Sequence, residues 1–131
     1  MLEVSTRTLG GYKVEARAGG ASLRMDEPAD EGGGGTGLTP QQTLLAALAG
    51  CTSITLLMYA RRKQWPLANV LVTATLESPA PGVPGDPAIV QTITLEGPLT
   101  EEQAKRLREI AGKCPVHKLL HSPVAVSERF A

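Results

Sequence analysis

Aromatic side chains are almost missing from this sequence: one tryptophan, two tyrosines and one phenylalanine in 131 residues. So few rings leave no platform on which bases could stack. A surplus of charge is missing too, because thirteen Lys and Arg cancel thirteen Asp and Glu. Without a basic stripe to neutralise phosphates, no nucleic acid partner is expected. Cysteine is scarce, with two in the chain. Two are too few for a disulfide scaffold, and they suit a reducing compartment where a thiol pair does chemistry. The opening residues Met1-Leu2-Glu3-Val4 lack the basic start and apolar stretch of a secretory leader, so a cytoplasmic setting is expected. The glycine run Gly32-Gly33-Gly34-Gly35 is not followed by Lys-Ser or Lys-Thr. It is therefore not a phosphate loop, and no cofactor is expected.

What remains fits one domain over residues 1–131. Residues 3–8, 12–16 and 21–25 read as three antiparallel strands parted by Gly10-Gly11 and Gly19-Gly20. Residues 26–38 lose all periodicity and hold Pro28 and the glycine run, which predicts a mobile loop. Thr39-Pro40-Gln41-Gln42 is a helix start: Thr39 caps, Pro40 suits the first helical position and Gln42 completes a capping box. That helix should run to about Lys63, where Arg61-Arg62-Lys63 complements the helix dipole. Residues 44–60 are uncharged and apolar on every side. They are short for a span and diluted by Ala, Gly, Ser and Thr, so a buried central helix is expected, with no membrane. Residues 68–77 and 88–96 read as paired strands around a Pro- and Gly-rich loop. Thr100 to Gln103 is a second capping box, and Gly112 should end its helix. A short helical turn from Cys114 and a last strand over 123–130 complete an α+β chain.

The two thiols are the chief chemical feature. They are 63 positions apart in sequence, so only the fold can join them. Pro115 after Cys114 places that cysteine at a helix N-cap, where free N–H groups favour a thiolate. Cys51 lies mid-helix in an apolar run and needs a cation from elsewhere. Arg24 and Arg17 are candidates, as are Arg7 and Lys13. His117 follows Cys114 by three positions and shares its helical face. It could pack locally, support the thiols or bind a metal. Local reasoning also leaves open that Cys51 is a core residue and Cys114 only a cap.

Taken together, Gly37-Leu38-Thr39-Pro40, the run Leu44-Leu45-Ala46-Ala47-Leu48-Ala49-Gly50-Cys51-Thr52, then Met58-Tyr59-Ala60-Arg61-Arg62-Lys63, and Cys114-Pro115-Val116-His117-Lys118-Leu119-Leu120 resemble the OsmC/Ohr superfamily. The similarity is greatest to an OsmC-like branch with a Cys-Pro-Val-His signature, and Asp26-Glu27-Pro28 fits that branch. The resemblance implies an intertwined α+β homodimer, with antiparallel sheets packed around long central buried helices. It implies thiol-dependent reduction of organic hydroperoxides in oxidative-stress defence, without a metal. Cys51 would attack and become a sulfenic acid, Cys114 would condense with it to a disulfide, and an external dithiol would reset the pair. Family peroxidases place an arginine and a glutamate beside the first cysteine, the glutamate just after the proline that opens the helix. Gln41 and Gln42 stand there in this chain; they can hydrogen-bond an arginine but not ion-pair with it. Arg24, then Arg17, are the expected arginines, and Glu27 is the substitute carboxylate. The competing reading is a non-catalytic dimer of the same fold that binds a small apolar ligand or senses redox state.

Overall fold

The two glycine pairs do turn the chain. In a computed structural model, which describes residues 1–131, β1 (Ser5–Thr8), β2 (Val14–Ala18) and β3 (Ala21–Met25) form an antiparallel meander. Gly11 and Gly19 take φ of 56° and 57°, a left-handed conformation open to glycine at little cost. β2 starts at Val14, later than expected. The turn extends to Lys13, whose N–H donates to the Gly10 carbonyl while Leu9 N–H donates to the Lys13 carbonyl.

The chain divides into two compact units, Met1–Leu45 and Ala46–Ala131. In the first unit, the expected mobile loop is instead hydrogen-bonded throughout. The carboxylate of Asp26, 1% exposed, accepts from Glu27 N–H at 2.8 Å, Thr36 N–H at 3.1 Å and the Thr36 hydroxyl at 2.6 Å. Gly33 N–H donates to the Pro28 carbonyl and Gly35 N–H to that of Glu27. Gly33 is obligatory here, since a Cβ would stand 1.9 Å from the Glu27 carbonyl oxygen. Composition alone suggested flexibility; one buried acceptor, satisfied by three donors, overrides it.

Helix α1 (Pro40–Lys63) crosses from the first unit into the second. At its start, Thr39 and Gln42 form the expected reciprocal cap. At its end, Gln64 adopts φ 59°, and Trp65 N–H reaches the Ala60 carbonyl while Gln64 N–H reaches that of Arg61. This is the six-to-one and five-to-two bonding of a left-handed helix stop, with glutamine where glycine is usual.

The second unit continues with β4 (Asn69–Glu77), β5 (Ala88–Glu96), α2 (Glu101–Ala111) and α3 (Pro115–His121). β4 and β5 pair antiparallel, and their inward residues alternate with exposed ones. Val70 and Val72 of β4 oppose Leu95 and Ile93 of β5. Leu56 and Ala60 of α1 and Leu107 and Ile110 of α2 form the buried core against this hairpin, flanked by Trp65, Leu67 and Leu99. Thr100 and Gln103 cap α2 as expected.

Two further expectations change. α1 is long and apolar enough to cross a membrane, and burial on all sides was expected. Within the chain only the stripe Leu48, Thr52, Leu56 and Ala60 is buried, while Ile54, Leu57 and Met58 are 59%, 40% and 65% exposed. Residues 123–130, expected as a strand, form none and are exposed throughout. Their alternation is real, but no strand of either sheet pairs with them.

Candidate functional site

Cys114 is the N-cap of α3, with φ −70° and ψ 144° and Pro115 following. Pro115 has no N–H to satisfy and a φ already suited to a helix, so the chain enters α3 directly at Cys114. The thiol fills the role usually taken by a Ser or Asp oxygen: its Sγ accepts the backbone N–H of His117 at 3.2 Å. It is fully buried.

Burial places Cys114 against α1. Thr52 Oγ1 lies 3.8 Å from Cys114 Sγ and 3.0 Å from Gln91 Oε1. Thr52 belongs to the buried stripe of α1 and is itself 0% exposed. Gln91 is the one amide in the inward row of β5, which otherwise runs Ile89, Ile93 and Leu95. Thr52 therefore links α1 both to β5 and to the start of α3. Cys51 is the residue before Thr52, turned about 100° from it around the helix. It is half-buried, and both thiols are free. The fold thus brings Cys114 to the turn of α1 that carries Cys51.

Beside this point lies a cleft of about 570 Å³. Leu48, Ile89, Ile93 and Leu120 supply apolar wall, and Gln91, His117 and His121 supply polar groups. The two imidazoles stack, with centroids 5.7 Å apart and planes 25° from parallel. His117 therefore gives its backbone to the sulfur and its ring to His121 and the cleft. No three His, Cys, Asp or Glu side chains group to hold a metal ion.

The remaining expected residues lie in the first unit. Arg17 is exposed on β2 and ion-pairs with Glu15; that bond holds the Glu15 carboxyl below the usual carboxylate range. Arg24 on β3 and Arg7 on β1 stand opposite Glu15 in register. Lys13 lies in the turn before β2. Glu27 follows Asp26 and binds the glycine loop through its carbonyl. Gln41 is exposed in the first turn of α1. The Gln42 side-chain oxygen accepts Thr39 N–H at 2.9 Å, so it serves the helix cap. Thr52 and Gln91 were not singled out from the sequence. The available signals were a hydroxyl on the stripe between Leu48 and Leu56, and an amide on the inward face of an aliphatic strand.

A family model described as OsmC-like protein matches residues 32–129. No curated protein matches the chain. Among solved structures, the chain is similar to an OsmC-like protein from Mycoplasma pneumoniae, with 21% identity over 92% of this chain and 87% of that one and a TM-score of 0.75. It is similar to the organic hydroperoxide resistance protein OhrB of Bacillus subtilis, with 22% identity over 91% and 89% and a TM-score of 0.61. It is also similar to an OsmC organic hydroperoxide resistance protein from Legionella pneumophila, with 21% identity over 92% and 88% and a TM-score of 0.64. At these identities the likeness establishes the fold.

Proposed function

This chain belongs to the OsmC-like protein family, and from that premise we propose that it is a thiol-dependent peroxidase that reduces organic hydroperoxides. The observation that carries the proposal is the seating of Cys114 against Thr52, next to Cys51 in the chain, at a capped helix start. The names of the Bacillus and Legionella relatives, both organic hydroperoxide resistance proteins, point the same way.

In this reading the Cys51 thiolate attacks the outer oxygen of the hydroperoxide. The O–O bond breaks, the sulfur becomes a sulfenic acid, and the alkoxide takes a proton to leave as the alcohol. Cys114 then attacks the Cys51 sulfur. An S–S bond forms, the S–OH bond breaks, and hydroxide leaves with the Cys114 proton as water. An external dithiol returns two electrons and two protons by thiol–disulfide exchange. Arg24 or Arg17 is the proposed cation for Cys51, with Glu27 as the carboxylate, since Gln42 is engaged in the helix cap and Gln41, like it, carries no charge. The exposed apolar face of α1 favours a homodimer, and the need for a reductant favours the cytoplasm. The cleft beside Cys114 supports a second reading, an apolar-ligand or redox-sensing dimer.

Stopped-flow mixing of the reduced protein with cumene hydroperoxide tests the peroxidase reading. The peroxidase reading expects rapid loss of both thiols, abolished in Cys51→Ser. Survival of both thiols in excess peroxide would overturn it.

A further inference from the structure

The Cys114 sulfur has two polar neighbours, and one of them has a second partner. His117 N–H is 3.2 Å from Sγ. Thr52 Oγ1 is 3.8 Å from Sγ and 3.0 Å from the Gln91 carboxamide. A hydroxyl carries one proton and cannot donate to sulfur and to a carbonyl oxygen together. With Cys114 as thiol, S–H can donate to Thr52, and Thr52 donates to Gln91 Oε1. With Cys114 as thiolate, sulfur only accepts, and the Thr52 proton must turn to it. Thr52 oxygen then has room for a donor, and Gln91 has one. Its NH₂ and carbonyl oxygen are nearly the same shape, so a half-turn of the amide exchanges acceptor for donor without repacking. Thr52 and Cys114 are both fully buried, which makes an unmatched state costly.

We propose that Thr52 and Gln91 are positioning residues for Cys114: a hydrogen-bond chain that reverses polarity when the thiol ionises, and so favours the thiolate. The inference rests on the reading of Cys114 as a working thiol. The chain reverses once as Cys114 gives up its proton to attack the sulfenic acid, and again when the reduced thiol is restored. The other titratable groups in this region are Cys51 on α1 and His117 and His121 on α3. The inward row of β5 has none, and the buried residues of α2 are Leu107 and Ile110.

The test uses the full chain carrying Cys51→Ser, which leaves one thiol, and follows thiolate ultraviolet absorbance against pH without peroxide. Thr52→Val should raise the midpoint by about one pH unit, a roughly tenfold loss of thiolate at fixed pH below it. Thr52→Ser should restore the parent value. Gln91→Met should move the midpoint when Thr52 is present and leave it unmoved in the T52V background, the non-additivity of a shared chain. Circular dichroism checks folding, and if T52V does not fold, T52A carries the same expectation. An unchanged midpoint in T52V, or a Gln91→Met shift that persists in its background, would overturn the inference. Because no peroxide is present, failure of the peroxidase reading would be seen separately.

Discussion

Thr52 Oγ1 lies 3.8 Å from Cys114 Sγ, so a residue on the long helix and a residue at the start of the last helix share one buried polar contact. They are 62 positions apart in sequence. The contact fixes which turn of α1 faces the second thiol, and that turn carries Cys51.

That relationship makes a stoichiometric expectation. One equivalent of organic hydroperoxide should convert the reduced protein to an internal Cys51–Cys114 disulfide, read by intact mass and by loss of both free thiols. Cys114→Ser should stop at the sulfenic acid, trapped by dimedone, and should turn over no further with dithiol unless that dithiol attacks the acid directly. Cys51→Ser should leave Cys114 reduced. Oxidation of Cys114 at an undiminished rate in that variant would reverse the assigned order of the two thiols.

Much of this arrangement is legible in the sequence. Thr39 with Gln42 and Thr100 with Gln103 mark two helix starts, because a capping box is a local pattern with a local cause. The same holds for Cys114-Pro115. The strand pair over 68–77 and 88–96 is equally plain from β-branched residues on either side of a proline- and glycine-rich loop. What could not be read is what depends on distant partners. Asp26 looks like any loop acid until three donors converge on it. Thr52 looks like a helix filler until Gln91, which is 39 positions away, meets it. The tail over 123–130 shows the opposite failure: its alternation satisfies the strand rule, yet a strand also needs a partner to pair with, which periodicity does not report.

Asp26 gives a pH expectation. The Thr36 hydroxyl, then the Thr36 and Glu27 N–H groups, hold its carboxyl down to about 2, against the opposing effect of burial. A depressed folded value means the unfolded chain binds the proton more readily. The contribution to stability is therefore complete above the unfolded value of about 4 and is lost as pH falls from there through about 2. Urea melts across that window should show a fall in midpoint that Asp26→Asn lacks. A wild-type curve that follows the variant's over the whole window would refute the role of Asp26.

Gln64 offers a gain in stability. It holds φ 59°, which costs an ordinary L-residue about 1 kcal/mol that glycine does not incur. Its side chain is exposed, so little packing is lost on removal. Gln64→Gly should stabilise the protein by up to about 1 kcal/mol in chemical denaturation. Gln64→Val, β-branched at the same φ, should destabilise it. The opposite order would mean that the helix stop is not under strain.

The outer face of α1 bears on assembly. Ile54, Leu57 and Met58 expose 59%, 40% and 65% of their surface, on a helix whose opposite stripe is already committed to the core. Leaving three large apolar groups together in water is unfavourable at about 25 cal/mol for each Å² that a partner could cover. A second copy supplies the same face, and a two-fold contact needs only one surface that matches itself. Analytical ultracentrifugation should therefore find a dimer at micromolar concentration. Ile54→Lys combined with Met58→Lys should shift it toward monomer, because two buried like charges would face two more across the axis. If the wild-type chain sediments as a monomer throughout that range, the exposed face belongs to some other contact. If the double variant remains dimeric, the interface lies elsewhere on the chain.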